Sequence, residues 1–174
     1  MLETDRLILR EWRESDLEEW VAMNASPEVM KYFPKTLTTE QSTEMFQRLQ
    51  TRIELQGWGL WAVEVKDTDP FIGFIGLSEQ NLGLDWMPCT EIGWRLKESA
   101  WGKGYATEGA HAALAFGLER FETIYSFTSA LNEKSRKVME RIGMRARPDL
   151  AFEHPRVDDL RLKSHIVYST SSHF

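Results

Sequence analysis

The chain has 174 residues, of which 42% are hydrophobic and 28% charged, and its formal net charge at pH 7 is −6. This length and composition predict one domain, residues 1–174, with a core large enough to need no disulfide or metal. The acidic balance disfavours a nucleic-acid partner, which usually requires a basic face, and a lone cysteine, Cys89, excludes an internal disulfide framework.

The sequence also lacks the marks of an exported or membrane-bound protein. Glu3 and Asp5 lie in an N-terminal segment that alternates polar with apolar residues, unlike a signal peptide. No apolar run approaches the ~20 residues of a spanning helix, so we expect no membrane association and a cytoplasmic location. We expect no metal site, because the four histidines are scattered without the spacing of metal ligands: His111, His154, His165 and His173.

The first half of the chain changes from helical periodicity to strand patterns at Gly57. Ser15 and Glu18 have the spacing of a helix capping box, and Met45 shares an apolar stripe with Leu49. The predicted elements are a strand over 6–12, a helix from Ser15 to about Asn24, a helix from Thr38 or Thr39 to about Leu55, and strands over 58–65 and 71–78.

The second half predicts a helix that lies very close to a sheet, because small residues such as Gly109 and Ala113 recur along it at helical spacing. The predicted elements are a strand over 91–96, this helix to about Arg120, a strand over 124–130, a helix from Asn132 to Gly143, and two final strands within 145–168 around a His154–Pro155 bend. The fold class is therefore α+β, with a mixed, mainly antiparallel sheet flanked by helices.

The most informative stretch is the turn Trp101-Gly102-Lys103-Gly104-Tyr105-Ala106, between a predicted strand and a predicted helix. Two glycines at alternate positions let the backbone approach a ligand and turn its N–H groups outward. The N-terminus of the helix adds free N–H donors and a positive dipole end, which together form an anion site. On spacing alone the pattern favours glycines that only relieve steric strain in a tight turn, and it is neither a Walker loop nor a dinucleotide fingerprint.

Three segments taken together resemble a known family, the GNAT superfamily of N-acetyltransferases. Residues 91–96, EIGWRL, followed by 101–108, WGKGYATE, resemble its motif A, and Asn132, Ser135 and 140–144, ERIGM, resemble its motif B. The opening TDRLILR and the closing HIVY resemble the branch of ribosomal-protein N-terminal (alanine/serine) acetyltransferases. The resemblance spans nearly the whole chain, and it implies a GNAT-like fold and acetyl-CoA as the cosubstrate.

The resemblance also implies which residues bind acetyl-CoA. The pyrophosphate would lie on the glycine turn, the pantetheine arm would run beside the strand backbone, and the thiol end would lie near the start of the following helix. In that order the residues are Gly102, Lys103, Gly104, Tyr105 and Ala106; then Trp94, Arg95 and Leu96; then Asn132 and Ser135.

Two positions depart from the family pattern. Ser99 replaces the first residue of the pyrophosphate motif, which leaves its backbone contacts intact. Met139 stands where many members have a general-acid tyrosine, and a thioether cannot protonate a leaving thiolate. The resemblance makes Ser135 the nearest candidate for that role, directly or through water; alternatively, its hydroxyl only bonds locally on its helix.

Glu91 is the candidate general base, because it opens the strand beside the expected thioester; alternatively, it is an exposed carboxylate at a strand end. His154 is a second candidate base, or a turn residue or wall of the substrate pocket. Among the tryptophans, Trp86 lies in a loop and is the best candidate for lining an acceptor pocket.

The predicted function is acetyl transfer from acetyl-CoA to a primary amine by direct attack in a ternary complex. The acceptor would be a protein N-terminal α-amine or a small-molecule amine. One alternative is an acyl-CoA sensor without transferase activity, because Met139 replaces the tyrosine; another is a structural domain, which the intact glycine turn disfavours. A homodimer is the default for a soluble enzyme, and no residue demonstrates it.

Overall fold

The computed structural model describes residues 1–170, so the expectation for His173 lies outside the described residues. Nine strands within this range form one sheet: β1 (Leu2–Glu3), β2 (Leu7–Arg10), β3 (Leu60–Val65), β4 (Asp69–Gln80), β5 (Cys89–Leu96), β6 (Ile124–Ser129), β7 (Arg145–Ala146), β8 (Phe152–Glu153) and β9 (Ser164–Ser169). The strands lie in the order β1-β2-β3-β4-β5-β6-β9-β7, and β8 also pairs with β9.

Five α-helices accompany the sheet in the same range: α1 (Leu17–Ala25), α2 (Thr39–Gln56), α3 (Tyr105–Leu118), α4 (Glu133–Arg141) and α5 (Leu160–Lys163). The structure confirms two of the predicted helix starts, at Thr38 and at Asn132. The Thr38 side chain accepts the Gln41 N–H in a capping box, and the Asn132 side chain accepts the Ser135 N–H. Over residues 1–170 no helix combines the length and apolarity needed to cross a membrane.

Helix α3 packs directly on one face of the sheet, as its small residues predict. An added Cβ at Gly109 would lie 2.4 Å from Ile75 Cδ1, and one at Gly117 would lie 2.5 Å from Ile124 Cδ1. The helix also forms the crossover between β5 and β6, the one parallel strand pair of the described sheet. It therefore fixes where the glycine turn enters the fold, because that turn immediately precedes its first residue.

Helices α1 and α2 cover the opposite face through a cluster of buried aromatic rings. The Trp12 ring lies 5.1 Å from that of Trp20 and 5.4 Å from that of Phe46, both in edge-on geometry. Trp20 also contacts the Phe74 ring on β4 at 6.0 Å. These tryptophans are core residues, and the sheet separates them from α3.

A buried ion pair replaces the capping box expected at Ser15 and Glu18, and that expectation is wrong. A 3₁₀ turn over Glu14–Asp16 precedes α1, and the Asp16 carboxylate accepts the Arg13 N–H at 2.8 Å. Both oxygens of Asp16 bind the Arg10 guanidinium at 2.8 Å. The first long strand accordingly ends at Arg10 rather than at residue 12.

The C-terminal segment also differs from the two strands expected around His154–Pro155. Three short or medium strands and the single-turn helix α5 occupy this region instead. Strand β9 pairs with β6, β7 and β8, so the shorter strands extend along its length. Two-residue strands carry too few alternating side chains to be recognised from a pattern.

Substituting Asp16→Asn tests the ion pair as a fold determinant. Arg10 and Asp16 are 3% and 2% exposed, so removing the Asp16 charge leaves the buried Arg10 cation with Glu64 as its remaining anionic partner and should lower the free energy of unfolding by about 3 kcal/mol. Urea denaturation measures it. Glu119→Gln, which breaks an ion pair whose carboxylate side chain is 74% exposed, is the control and should cost less than about 1 kcal/mol. Equal losses in the two variants would contradict the assignment.

Candidate active site

Strands β5 and β6 pair over only two residues and then part. The parallel register joins Thr90 to Ile124 and Glu91 to Tyr125, whereas β5 continues to Leu96. The rest of β5 remains hydrogen-bonded to β4 along its other edge. A wedge thus opens in the sheet from the Glu91–Tyr125 pair toward the ends of both strands.

Backbone groups of β5 line one side of this wedge. The Ser126 hydroxyl donates to the Ile92 carbonyl at 2.9 Å, and the Trp101 indole N–H donates to the Leu96 carbonyl at 2.8 Å. Because backbone groups alternate along a strand, those of Trp94, between these two residues, also point into the wedge. Ser126 was missed in the sequence, where a serine inside a strand carries no distinguishing signal.

The glycine turn lies at the end of β5 and opens α3. Gly102 and Gly104 have φ angles of +74° and +81°, a backbone region that favours glycine. The first turn-closing bond of α3 runs from the Glu108 N–H to the Gly104 carbonyl, so the preceding amides have no acceptor within the helix. An added Cβ at Gly102 would meet nothing within 4 Å, which leaves that side of the turn open to a ligand.

The N-terminal segment braces this turn through a single carboxylate. Glu108 accepts hydrogen bonds from the Thr4 hydroxyl at 2.6 Å and from the Arg6 backbone and side chain at 2.9 and 2.7 Å. Arg6 also donates to the Lys103 carbonyl at 2.9 Å and lies 4.7 Å from the centre of the Tyr105 ring. These bonds hold the pKa of Glu108 below its ordinary value against the opposing effect of partial burial. Thr4, Arg6 and Glu108 lie in the segments that resemble the family, but nothing in the sequence indicated their role.

The start of α4 approaches the turn from the other side. The Asn132 amide donates to the hydroxyls of Ser135 at 3.0 Å and Thr128 at 3.1 Å, and the Lys134 ammonium lies 4.4 Å from the Trp101 ring centre. The Ser135 hydroxyl is half-buried and keeps its own proton for a further bond. Met139 is 1% exposed and belongs to the core.

Glu91 lies on the sheet face opposite α3. It is the third residue of β5 and half-buried, not an exposed strand end. Burial raises its pKa to about 8, opposed by a hydrogen bond from the Gln80 side chain. A carboxylate with this pKa is a stronger base than an ordinary glutamate.

Trp86 and His154 belong to one aromatic cluster on the same face. The Trp86 ring lies 5.1 Å from Tyr125, which faces Glu91 across the strand pair, and it borders a pocket of about 500 Å³. His154 and His165 lie 4.9 Å apart at the other end, and burial lowers the pKa of both. The members of the cluster are Trp86, Tyr125, Phe127, Phe152, His154 and His165.

Three residues of β5 were expected beside the pantetheine arm: Trp94, Arg95 and Leu96. Of these, Arg95 is the one whose backbone groups point away from the wedge. The Lys97 N–H donates to the Ile72 carbonyl on β4, and alternation gives Arg95 the same direction. Its side chain lies on the same face of the sheet as that of Glu91. Among residues 1–170, no three histidine, cysteine, aspartate or glutamate side chains are grouped as metal ligands.

Comparison with known proteins identifies the arrangement. A family model described as an acetyltransferase (GNAT) domain matches residues 6–145. The uncharacterized N-acetyltransferase YnaD of Bacillus subtilis (strain 168) is 30% identical over 144 residues, 82% of this chain and 81% of that protein. A crystal structure of an acetyltransferase from Agrobacterium tumefaciens str. C58 is 30% identical with a TM-score of 0.78, covering 98% of this chain and 93% of that one. That similarity confirms the predicted fold class.

A more distant solved structure belongs to a ribosomal-protein acetyltransferase, the kind of enzyme that the opening and closing segments resemble. RimL, a ribosomal L7/L12 alpha-N-protein acetyltransferase in complex with coenzyme A, shares 15% identity and a TM-score of 0.72, covering 95% of this chain and 94% of that one. At this identity the likeness extends to the fold.

Substituting Glu108→Gln tests the brace on the glycine turn. Losing the charge-assisted bonds from Arg6 and Thr4 should speed hydrogen exchange at the amides of residues 102–107 about tenfold, with the sheet amides unaffected. Hydrogen exchange followed by mass spectrometry measures it, with Glu119→Gln beyond the other end of α3 as the control. Unchanged exchange in the turn would show that Glu108 does not hold it.

Proposed function

Because this chain belongs to the GNAT family of acetyltransferases, we propose that it passes the acetyl group of acetyl-CoA to a primary amine by direct attack in a ternary complex. One observation carries the proposal: the wedge between β5 and β6 leads from the glycine turn to Glu91. A long, thin cosubstrate with a pyrophosphate at one end and a thioester at the other fits that path. The acceptor would approach from the sheet face opposite α3, the face on which Glu91 lies.

The glycine turn would bind the pyrophosphate. Backbone N–H groups from Gly102 to Ala106 and the positive end of the α3 dipole attract an anion, and Lys103 adds a cation. Trp94 and Leu96 would bond the pantetheine arm through the backbone edge facing the wedge. Asn132 would flank the thiol end together with Ser135.

The chemical step needs a neutral amine at the thioester carbon. A new carbon–nitrogen bond forms, the carbon–sulfur bond breaks, and the proton released by the amine passes through water to Glu91. The Trp94 N–H would donate to the oxyanion, and the Ser135 hydroxyl would pass a proton to the departing thiolate, directly or through water, and take a replacement proton from water. His154, with its lowered pKa, would serve as a wall of the acceptor pocket rather than as the base.

The acceptor class follows from the cost of deprotonation. Making a lysine amine neutral at pH 7 costs about 4–5 kcal/mol, against about 1 kcal/mol for an α-amine. A single carboxylate acting through water is adequate for the α-amine. Trp86 and His154 would line the acceptor pocket, which leaves a protein N-terminus or a small α-amine as the substrate.

Sensing without transfer is the second candidate, favoured by the buried methionine at position 139. It predicts tight acetyl-CoA binding with no release of free CoA. Assaying thiol release with peptides that have free N-termini, polyamines and amino acids separates the two functions. Turnover with any amine supports the transferase, and binding without turnover supports the sensor.

Substituting Gly104→Glu tests the pyrophosphate site. A carboxylate on the turn repels the phosphates, and the dissociation constant for acetyl-CoA in calorimetry should rise at least about tenfold. Gly57→Glu is the matched control. Gly57 also has positive φ, +76°, and it lies at the end of α2; an added Cβ there meets nothing within 4 Å, whereas at Gly104 it meets only the tip of the Arg6 side chain, at 3.4 Å. A similar rise in both variants would attribute the loss to strain.

The pH profile tests Glu91. With its pKa near 8, about one molecule in ten is ionised at pH 7, so kcat should rise about tenfold between pH 7 and 9. An acceptor whose amine has a pKa well below 7 stays neutral over this range, so the rise in kcat then reports the ionisation of Glu91 alone. Glu91→Gln should lower kcat about 100-fold and remove the rise, whereas Glu54→Gln, at an exposed position on α2, should change neither. A rise that persists in Glu91→Gln would exclude the glutamate as the base.

A further inference from the structure

Arg95 is a charged side chain with few partners. Its Nη1 donates to the Asn24 Oδ1 at 2.8 Å, while its Nε is buried without a hydrogen-bonding partner. Within the described chain Nη2 has no acceptor either, and no carboxylate lies within ion-pairing distance of the guanidinium. Arg10, which is buried, differs sharply, because it is paired with Asp16 and Glu64.

Aromatic rings surround the Arg95 guanidinium in place of a counter-ion. The ring centres of Phe33, Phe74 and Trp20 lie 4.3, 5.5 and 5.8 Å from its central carbon. Burial among these rings lowers the pKa of Arg95 to about 10, so the side chain is still a cation at neutral pH. A desolvated cation with no paired anion is costly for the free protein.

The two unpartnered nitrogens form one edge of the guanidinium. Nε and Nη2 present two parallel N–H bonds that match the two oxygens of a carboxylate. Arg147 and Arg161 use this same edge to bind both oxygens of Asp149 and Asp159. The edge that is free on Arg95 is therefore the one that this protein elsewhere uses to bind carboxylates.

The strand position between Arg95 and the candidate base carries no side chain. Glu91, Gly93 and Arg95 alternate on one face of β5, and an added Cβ at Gly93 would meet nothing within 4 Å. Two residues along a strand span about 7 Å. A ligand whose amine lies over Gly93 would thus have the Glu91 position about 7 Å to one side and the Arg95 position about 7 Å to the other.

We propose that Arg95 binds a carboxylate of the acceptor, so that the preferred substrate is an amine with a carboxylate about 7 Å from its nitrogen. The proposal rests on the proposed function, since it places the reacting amine over Gly93. A carboxylate entering along the guanidinium plane meets Nη2 first and completes the pair at Nε. Phe33, which is 40% exposed on the α1–α2 connection, covers the guanidinium from outside and would close over the bound group.

Two pairs of acceptors test the proposal, each differing only in the carboxylate. One pair is glycylglycine and glycylglycinamide, which have an α-amine; the other is a longer peptide beginning Ser-Asp and the same peptide beginning Ser-Asn. The wild-type protein should favour the carboxylate member of at least one pair about tenfold or more in kcat/KM. The pair that shows the preference identifies a small molecule or a protein N-terminus as the source of the carboxylate.

The variant Arg95→Met, of similar length and without charge, should bring that ratio close to one by raising KM for the carboxylate member. Arg48→Met, at an exposed position on α2, is the control and should keep the wild-type ratio. A ratio near one in the wild-type protein would overturn the proposal. So would an Arg95→Met variant that keeps the preference, loses both members equally, or binds acetyl-CoA less tightly, since these results point to a structural or cofactor role.

Calorimetry with the CoA-loaded protein separates failure of this proposal from failure of the proposed function. If no amine is turned over, tighter binding of the carboxylate member, lost in Arg95→Met, would still support Arg95 as an acidic-group site in a protein that is not a transferase. Equal binding of both members would overturn it. Turnover of amines without a carboxylate preference would leave the transferase intact and remove only the role of Arg95.

Discussion

The early end of the β5–β6 pairing is the constraint on which the site depends. Two paired residues hold the strands together at Thr90 and Glu91, and beyond them the edge of β5 has no neighbouring strand. Unpaired backbone groups inside a protein need partners. Ser126 and the Trp101 indole supply two of them, and the backbone of Trp94 remains directed into the gap. A sheet with continuous pairing here would have neither a path for a thioester nor donors along it.

Because residues alternate along a strand, β5 contacts two different environments. Backbone groups of its even-numbered residues face the wedge, whereas side chains of its odd-numbered residues face the side covered by α1 and α2. Glu91, Gly93 and Arg95 thereby form a row of carboxyl, open space and guanidinium. One strand of ordinary geometry can in this way contact a cosubstrate along its edge and an acceptor on its face without a large cavity between them.

Much of this arrangement could be predicted from the sequence, because it depends on local signals. The glycines of the turn, the small residues of α3 and the caps at Thr38 and Asn132 each have a short-range signature. The sequence also placed Glu91 beside the site, although it could not show that burial raises the pKa of that carboxyl. Solvent exclusion depends on neighbours from other strands, such as Gln80 on β4 and Tyr125 on β6.

What escaped prediction depends on contacts between distant parts of the chain. The bond from Thr4 to Glu108 joins residues 104 positions apart, and no local pattern encodes such a pair. The Arg10–Asp16 pair was missed for another reason: Ser15 and Glu18 offered a familiar capping pattern that a buried ion pair outweighed. The openness over Gly93 was equally invisible, since a glycine in a strand more often marks close packing, as at Gly76.

The Thr4–Arg6–Glu108 contact has a consequence for communication within the molecule. It ties the first strands of the sheet to the turn expected to bind phosphate. Coupling between two events is reciprocal, so any ligand that orders the turn must also tighten the attachment of the first six residues. A probe attached to the beginning of the chain would therefore respond when the proposed cosubstrate binds to the glycine turn.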